Sequence, residues 1–456
     1  MSVTVADPLP RRLGFVVATA TVIGTIIGSG IFRMPGAVAA EVGSAGGVIT
    51  VWVLGGVISL CGALSLAELA AAFPRSGGLF VYLREVYGDG VAFLFGWTML
   101  IVTPTAVAAV ALVFGEYLGA VVPLSAVATR GVAALVIVVV SAAAYRSVDG
   151  VASLLTASSA AKVAALALLV LAAFLAADGG SGSFERGAPA ADEARWGGVG
   201  LALVAALWAY NGFQDMVSVA GEVRDPARVI PRALTAGLLV VVAVYVAANA
   251  AYLYVLPYAA LRESSVVASD AMVRVMGDRG AQAVAAMVML STFGAIVGLT
   301  LTNPRVFYAM AGAGLLFAPL ARVHPRFRTP HVAVVTHGAI AFACVWVRTF
   351  EELAAAFVLG VWPFLALATA GVLVLRRTRP DLVRPYRTPG YPLVPLVFIA
   401  GTLWVVGSAL VAQPRTTLAG VGLTLLGIPI RWGQILFFAR VSSREASVRS
   451  PDRFAR

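Results

Sequence analysis

The feature that most constrains this chain is its division into apolar runs of membrane length, at residues 15–40, 46–72, 92–122, 131–145, 151–177, 199–221, 232–256, 281–313, 331–347, 353–375, 395–411 and 417–438. No water reaches the bilayer core to bond an exposed peptide group, so each run must close its own hydrogen bonds, as a helix does. The pattern predicts an all-α polytopic membrane protein with twelve transmembrane helices. Composition agrees: of 456 residues, 60% are hydrophobic and only 12% charged, and mean hydropathy is +0.92. The net charge of +11 sits in short loops between the runs and not on one soluble face, which argues for membrane topology and against a nucleic-acid surface. Cys61 and Cys344 lie inside apolar runs, so neither a disulfide framework nor a thiolate metal site is supported.

Two runs contain residues that a lipid-facing helix does not favour. The first holds Gly24-Thr25-Ile26-Ile27-Gly28-Ser29-Gly30-Ile31-Phe32, followed by Arg33-Met34-Pro35-Gly36. The sixth holds Leu207-Trp208-Ala209-Tyr210-Asn211-Gly212-Phe213-Gln214-Asp215. Unwound backbone at this depth persists only where protein or a water-filled cavity surrounds it. Its N–H groups then suit a carboxylate, and its carbonyls an ammonium or a cation. Each break opens a five-helix half, and interruptions at corresponding positions of two halves point to an inverted repeat with a midplane site. The alternative is a small-residue face on which helices pack closely, or a chance pair of glycine defects. The residues alone leave these open.

Arginine placement gives an orientation, because Lys and Arg concentrate on the cytoplasmic side. Arg75 and Arg84, Arg146, Arg224 with Arg228 and Arg232, Arg322 with Arg326 and Arg328, and the group from Arg376 to Arg387 share the side of the N-terminal tail. The opposite loops balance their arginines with Asp178, Glu185, Asp192 and Glu193, or with Glu263, Asp270 and Asp278. Both termini are predicted cytoplasmic, with tails at 1–14 and 439–456 and an external loop at 181–196. Residues 15–438 form one transmembrane domain: a first repeat at 15–177, a second at 199–375 and two appended helices at 395–438. No cleavable signal precedes the first span, so a multi-pass protein of the cytoplasmic membrane is expected.

These residues resemble the amino-acid/polyamine/organocation transporters, above all their bacterial amino-acid permeases and L-type exchangers. The resemblance covers most of the chain. It is carried by the Gly24 to Phe32 motif, by Ala67-Glu68-Leu69 with Phe73-Pro74-Arg75-Ser76-Gly77-Gly78, and by Trp208 to Phe213. Gly221-Glu222-Val223-Arg224-Asp225-Pro226 with Ile230-Pro231-Arg232-Ala233, and Arg384-Pro385-Tyr386-Arg387-Thr388-Pro389-Gly390-Tyr391-Pro392, extend it. It implies the LeuT-type fold, five plus five inverted helices with helices 1 and 6 broken and two helices appended. It also implies that backbone N–H groups around Gly28, Ser29, Gly30 and Ile31 take a substrate carboxylate. Carbonyls of Ile26, Trp208 and Asn211, beside Gly212, would hold the α-ammonium, with Trp208 closing over the bound amino acid. A lipid-facing or interfacial tryptophan is the plainer alternative, and it fits poorly with the place of Trp208 beside the break.

Lys162 is the single lysine among the 33 Lys plus Arg, and it lies in the fifth span. Lysine can release its proton when buried, whereas arginine effectively cannot. The resemblance places it where sodium-coupled members of the fold hold a sodium ion, between the first break and the eighth span near Ser291 or Thr292. Transport would then be sodium-independent, by proton-coupled symport or by exchange. The plainer role is a lysine reaching an interface. Glu68 reads as the structural partner of a loop arginine such as Arg75 rather than a proton carrier. Asp215 reads as the complement of a helix N-terminus, and Glu116 as a span-end residue. Arg33 departs from the family's usual apolar residue; it biases an outer vestibule toward anions or reaches the outer headgroups.

The expected function is secondary transport of amino acids, taken to be neutral, by alternating access. A cationic amino-acid or polyamine exchanger and a transporter-like amino-acid sensor are the alternatives. A sensor calls for a substantial cytoplasmic domain, and a membrane anchor of an enzyme complex calls for intramembrane His or Cys ligands. Expected partners are the amino-acid substrate, protons and membrane lipid. Cofactors, metals, nucleic acid and catalytic residues are not expected; His324, His331 and His337 gather near one cytoplasmic loop. No disulfide-linked heavy chain is expected either, because residues 123–130 lack the cysteine that partnered relatives use.

Overall fold

The computed structural model describes residues 13–75, 77–146, 162–164, 166–175 and 196–434. The predicted tails beyond these limits, the loop at 181–195 and the start of the fifth span lie outside the described residues. Apolar runs with internally bonded backbone give helices nearly throughout: α1 Phe15–Ile26, α2 Gly30–Val42, α3 Ala45–Ala72, α4 Gly78–Tyr87, α5 Asp89–Gly119, α6 Ala126–Arg146 and α7 Lys162–Leu175. There follow α8 Trp196–Tyr210, α9 Phe213–Ser218, α10 Pro226–Val255, α11 Tyr258–Glu263, α12 Val267–Gly312, α13 His331–Val347, α14 Phe350–Thr378, α15 Leu393–Ala412 and α16 Pro414–Leu425. Among the described residues, α3, α5, α6, α10, α12, α14 and α15 are long and apolar enough to cross a membrane, and α1 with α2, bent by 48°, makes an eighth span. Other predicted spans coincide with the shorter apolar helices α7, α8 and α13.

The helix ends follow local chemistry. The Ser44 hydroxyl caps α3 by accepting from the Gly47 N–H at 3.1 Å. Thr349 and Glu352 exchange side-chain and backbone bonds in a capping box that starts α14. Apolar-run counting missed α4 and α11, which are too short, and it started the eighth span at 281 where α12 begins at Val267. Gly277, at φ 67°, separates the extra stretch from the long helix behind it.

α5 lies at the centre of the bundle against α12, α13 and α14, while α3 packs on α10 and α8. The ends of the bundle are tied by charge. Glu68 on α3, 2% exposed, accepts from Arg376 Nε at 3.0 Å, Arg376 Nη2 at 2.7 Å and the Thr388 N–H at 2.7 Å. The Arg384 guanidinium stands 3.7 Å away, and Arg376 lies 3.9 Å above the Tyr391 ring centre. The expected structural role for Glu68 is met by these arginines and not by Arg75, which pairs with Glu85 on α4. Arg379 reaches the same Glu85 at 3.4 Å. Partial burial alone would raise the Glu85 carboxyl; hydrogen bonds from Arg75 and Arg379 outweigh it and hold it below the usual carboxylate range.

Candidate functional site

The two helix breaks meet. Between α1 and α2, Ile27 donates back to the Ile23 carbonyl at 2.9 Å, and Phe32 is the first donor of the new helix, bonding Ser29 O at 3.2 Å. The N–H groups of Ser29, Gly30 and Ile31 therefore precede the intrahelical pattern and point from the start of α2, where a helix carries partial positive charge. Between α8 and α9, Asn211 N–H returns to Trp208 O at 3.2 Å and Gly212 takes φ +123°, a conformation that favours glycine. The Asn211 side chain accepts from Gln214 Nε2 at 3.0 Å, and Gln214 Oε1 accepts from the Gly212 N–H at 3.1 Å.

Each break is seated on the other. A Cβ on Gly30 would lie 2.5 Å from Ala209 Cα, and one on Gly212 would lie 2.7 Å from Thr25 O. The Thr25 hydroxyl, 2.9 Å from Thr21 O in its own helix, also stands 3.2 Å from Gly212 O. Gly30 thus lacks a side chain for a tighter reason than substrate access: the α2 start rests directly on α8. Gly28 differs, because its Cβ would meet only Ile26 O, at 3.9 Å, an ordinary van der Waals contact.

Tyr245 on α10, fully buried, was not singled out in the sequence. Its hydroxyl stands 2.9 Å from Ile26 O and 3.1 Å from Ala209 O, one donor shared between the two breaks. Its ring packs with Trp52 at 5.4 Å and with Tyr210 at 5.2 Å, and the Tyr210 hydroxyl donates to Trp52 O at 2.9 Å. A tyrosine in an apolar span carries no sequence signal of such a role.

Trp208 is 8% exposed and meets Phe357 and Phe350 of α14 edge-on, at 5.3 and 6.1 Å. It is therefore a packed residue beside the break and not a lipid-facing one. Over Phe350, at 5.0 Å, lies the Arg33 guanidinium. Arg33 Nε donates to Glu116 of α5 at 3.0 Å, and its Nη2 pairs with Glu351 of α14. So Arg33, 9% exposed, spends its charge on two carboxylates. Charge, cation–π contact and edge-on aromatics join α2, α5 and α14 above the breaks. Beside this cluster is a cavity of about 280 Å³ lined in part by Arg33, Ala37, Glu41, Arg262 and Glu351.

The opposite ends of the broken spans are joined by backbone. Leu13 N–H donates to Glu222 O at 3.0 Å, Arg224 N–H donates to Leu13 O at 2.9 Å, and Gly77 N–H donates to Ser218 O at 3.0 Å. Of the three residues expected to take part in coupling, Lys162 is 6% exposed, Ser291 1% and Thr292 0%. Thr292 spends its hydroxyl on Val288 O at 2.8 Å, whereas the Ser291 hydroxyl is buried without a partner among the described residues. No hydrogen bond among the described residues joins Lys162 to Gly28 or Ser291.

Comparison of the sequence with known proteins gives a family. A family model described as amino acid permease covers residues 13–427. The serine/threonine exchanger SteT of Bacillus subtilis (strain 168) is 32% identical over 433 residues, which is 93% of this chain and 97% of that protein. The b(0,+)-type amino acid transporter 1 of Homo sapiens is 30% identical over 419 residues, 89% of this chain and 84% of its own. The cystine/glutamate transporter of Homo sapiens is 31% identical over 428 residues, 92% and 84% of the two chains. With a match over nearly its whole length, this chain belongs to the amino acid permease family.

Proposed function

We propose that this protein is a sodium-independent secondary transporter that exchanges neutral amino acids across the cytoplasmic membrane by alternating access. The observation that carries the reading is the mutual seating of the breaks. In this reading the leftover N–H groups of Ser29, Gly30 and Ile31 and the carbonyls of Ile26, Trp208 and Asn211 form one site, and Gly212 lets the second break sit against Thr25. A carboxylate binds the first set and an α-ammonium the second. These two charged groups are what amino acids have in common. No acidic side chain occurs in 24–32, and the one acid in 207–215, Asp215, lies in the first turn of α9, where it complements the helix N-terminus; this favours a neutral side chain, and the similarity to a protein named a serine/threonine exchanger supports exchange of small neutral substrates.

In this reading the chain has twelve spans with a five-plus-five inverted repeat, at 15–177 and 199–375, and two appended helices at 395–438. Both termini are cytoplasmic. Lys162 replaces a coupling cation between the first break and α12 near Ser291 and Thr292, and no disulfide-linked heavy chain is needed. The test is uptake of a labelled panel of neutral, cationic and anionic amino acids into proteoliposomes. Saturable uptake of small neutral amino acids is expected, and uptake confined to cationic amino acids or polyamines would replace this substrate assignment.

A further inference from the structure

The two faces that α6 and α13 turn toward each other do not close along their whole length. They touch where a Cβ on Gly338 would lie 2.5 Å from Ser141 Oγ. On both sides of this contact, and on to the Arg146 end, they leave a crevice of about 670 Å³ lined chiefly by apolar side chains, including Ile137, Val138, Ala142, Val335 and Phe342. Val138, Val335 and Phe342 are 50%, 55% and 40% exposed, so the crevice opens sideways on the apolar surface of the bundle. Lipid is the solvent of that surface.

The end of the crevice has a different chemistry. Arg146 and Tyr145 line it together with Phe327. Tyr145 packs edge-on against His324, Phe327 and His331 at 5.3, 5.9 and 6.0 Å, and the Arg326 guanidinium lies 5.6 Å from the Phe327 ring centre. Aromatic rings and arginines at one level mark the headgroup zone of a membrane protein. Ser141 adds a second observation. Its hydroxyl is buried with no hydrogen-bond partner among the described residues, although Ser141 lines the crevice. Five residues before Arg146, it lies about 7.5 Å deeper by helical rise. That is one short step below a phosphate held by Arg146, where the glycerol esters of a phospholipid offer carbonyl acceptors.

We infer that the crevice between α6 and α13 is a binding site for an anionic phospholipid of the cytoplasmic leaflet. One acyl chain lies along Ile137, Val138, Val335 and Phe342, an ester carbonyl accepts from Ser141, and the phosphate sits on Arg146. The leaflet follows from the orientation proposed above, but the site stands on the crevice alone and does not depend on which amino acid is carried.

The experiment uses the full chain purified in a neutral detergent and titrated with phosphatidylglycerol, phosphatidylcholine or inorganic phosphate. Binding is read by native mass spectrometry and by the shift in thermal unfolding. A photoactivatable phosphatidylglycerol maps the contact. Phosphatidylglycerol should bind and stabilise, phosphatidylcholine should do so more weakly, and inorganic phosphate should not. Arg146→Ala, an exposed position, should weaken phosphatidylglycerol binding about fivefold, the effect of one arginine on an anionic lipid surface. Arg146→Lys should keep most of it. Ala142→Trp should block the crevice and remove cross-links to α6 and α13. Equal binding of both lipids, an unchanged affinity in Arg146→Ala, cross-links that map to other helices, or stabilisation by inorganic phosphate alone would each overturn the site. So would recovery at this face of a cross-linked membrane polypeptide and no lipid.

Discussion

The Tyr245 hydroxyl lies 2.9 Å from the carbonyl oxygen of Ile26, and through a second approach of 3.1 Å to Ala209 O it links the two broken spans from a third helix. One of the carbonyls assigned to the substrate ammonium is therefore held in place before substrate arrives. Tyr245→Phe should leave the helices intact, cost about 1 kcal/mol of stability, and raise the KM for amino acids several-fold as the break loosens. Thermal unfolding and concentration-dependent uptake measure the two effects. An unchanged KM would show that the hydroxyl serves packing only.

The glycines separate two roles that coincide in the motif. Gly30→Ala places a methyl group into Ala209, and it should both destabilise the protein and abolish transport, since neither backbone can yield without parting α2 from α8. Gly28→Ala meets only Ile26 O at 3.9 Å. It should fold normally and reduce substrate affinity by filling the space at the α2 start. If the two variants behave alike in thermal unfolding, the close seating of the breaks is not what Gly30 provides.

Arg33 bridges Glu116 and Glu351, and its loss should unfasten α2 from α5 and α14. In a protein lacking Cys61 and Cys344, a cysteine placed at Ala37 should react roughly tenfold faster with an impermeant thiol reagent when Glu351→Gln is added, a shift worth about 1.4 kcal/mol. Labelling at the original rate would mean that the Arg33–Glu116 pair and the aromatic contacts of Phe350 and Phe357 hold this end closed without Glu351.

For Glu68 the structure predicts a mechanical role. Glu68→Gln strands the Arg376 and Arg384 guanidinium groups around a neutral amide, and breaking a buried pair costs about 3 kcal/mol. A clear drop in melting temperature is expected, with the response of uptake to an imposed proton gradient unchanged. Loss of that response at normal stability would make Glu68 a proton carrier instead.

The spans were readable because length and apolarity are local properties, and α3 and α13 fall within a residue of where apolar runs put them. The breaks were readable because glycine at bilayer depth is conspicuous. What joins distant parts was not. Nothing near Arg33 in sequence names Glu116 or Glu351, and Glu68 stands 308 residues from the Arg376 that it binds. Arg75, the neighbour in sequence, goes to Glu85 on α4, a short amphipathic helix with no membrane-length signal. Tyr245 escaped notice because its hydroxyl serves backbone carbonyls, which any sequence supplies. Lys162 was conspicuous as a lone lysine. Replacing it with Met should impair uptake under every gradient, and normal uptake would remove it from the coupling scheme.

Counterflow in proteoliposomes tests the central claim most directly. Vesicles holding the protein are loaded with unlabelled serine or left empty, with no sodium and no pH difference, and the entry of labelled serine is followed. Loaded vesicles should accumulate label transiently, empty ones should take up little, and Gly30→Leu should abolish the difference. Label entering loaded vesicles only when sodium is added, or entering equally well through Gly30→Leu, would contradict sodium-independent exchange through the paired breaks.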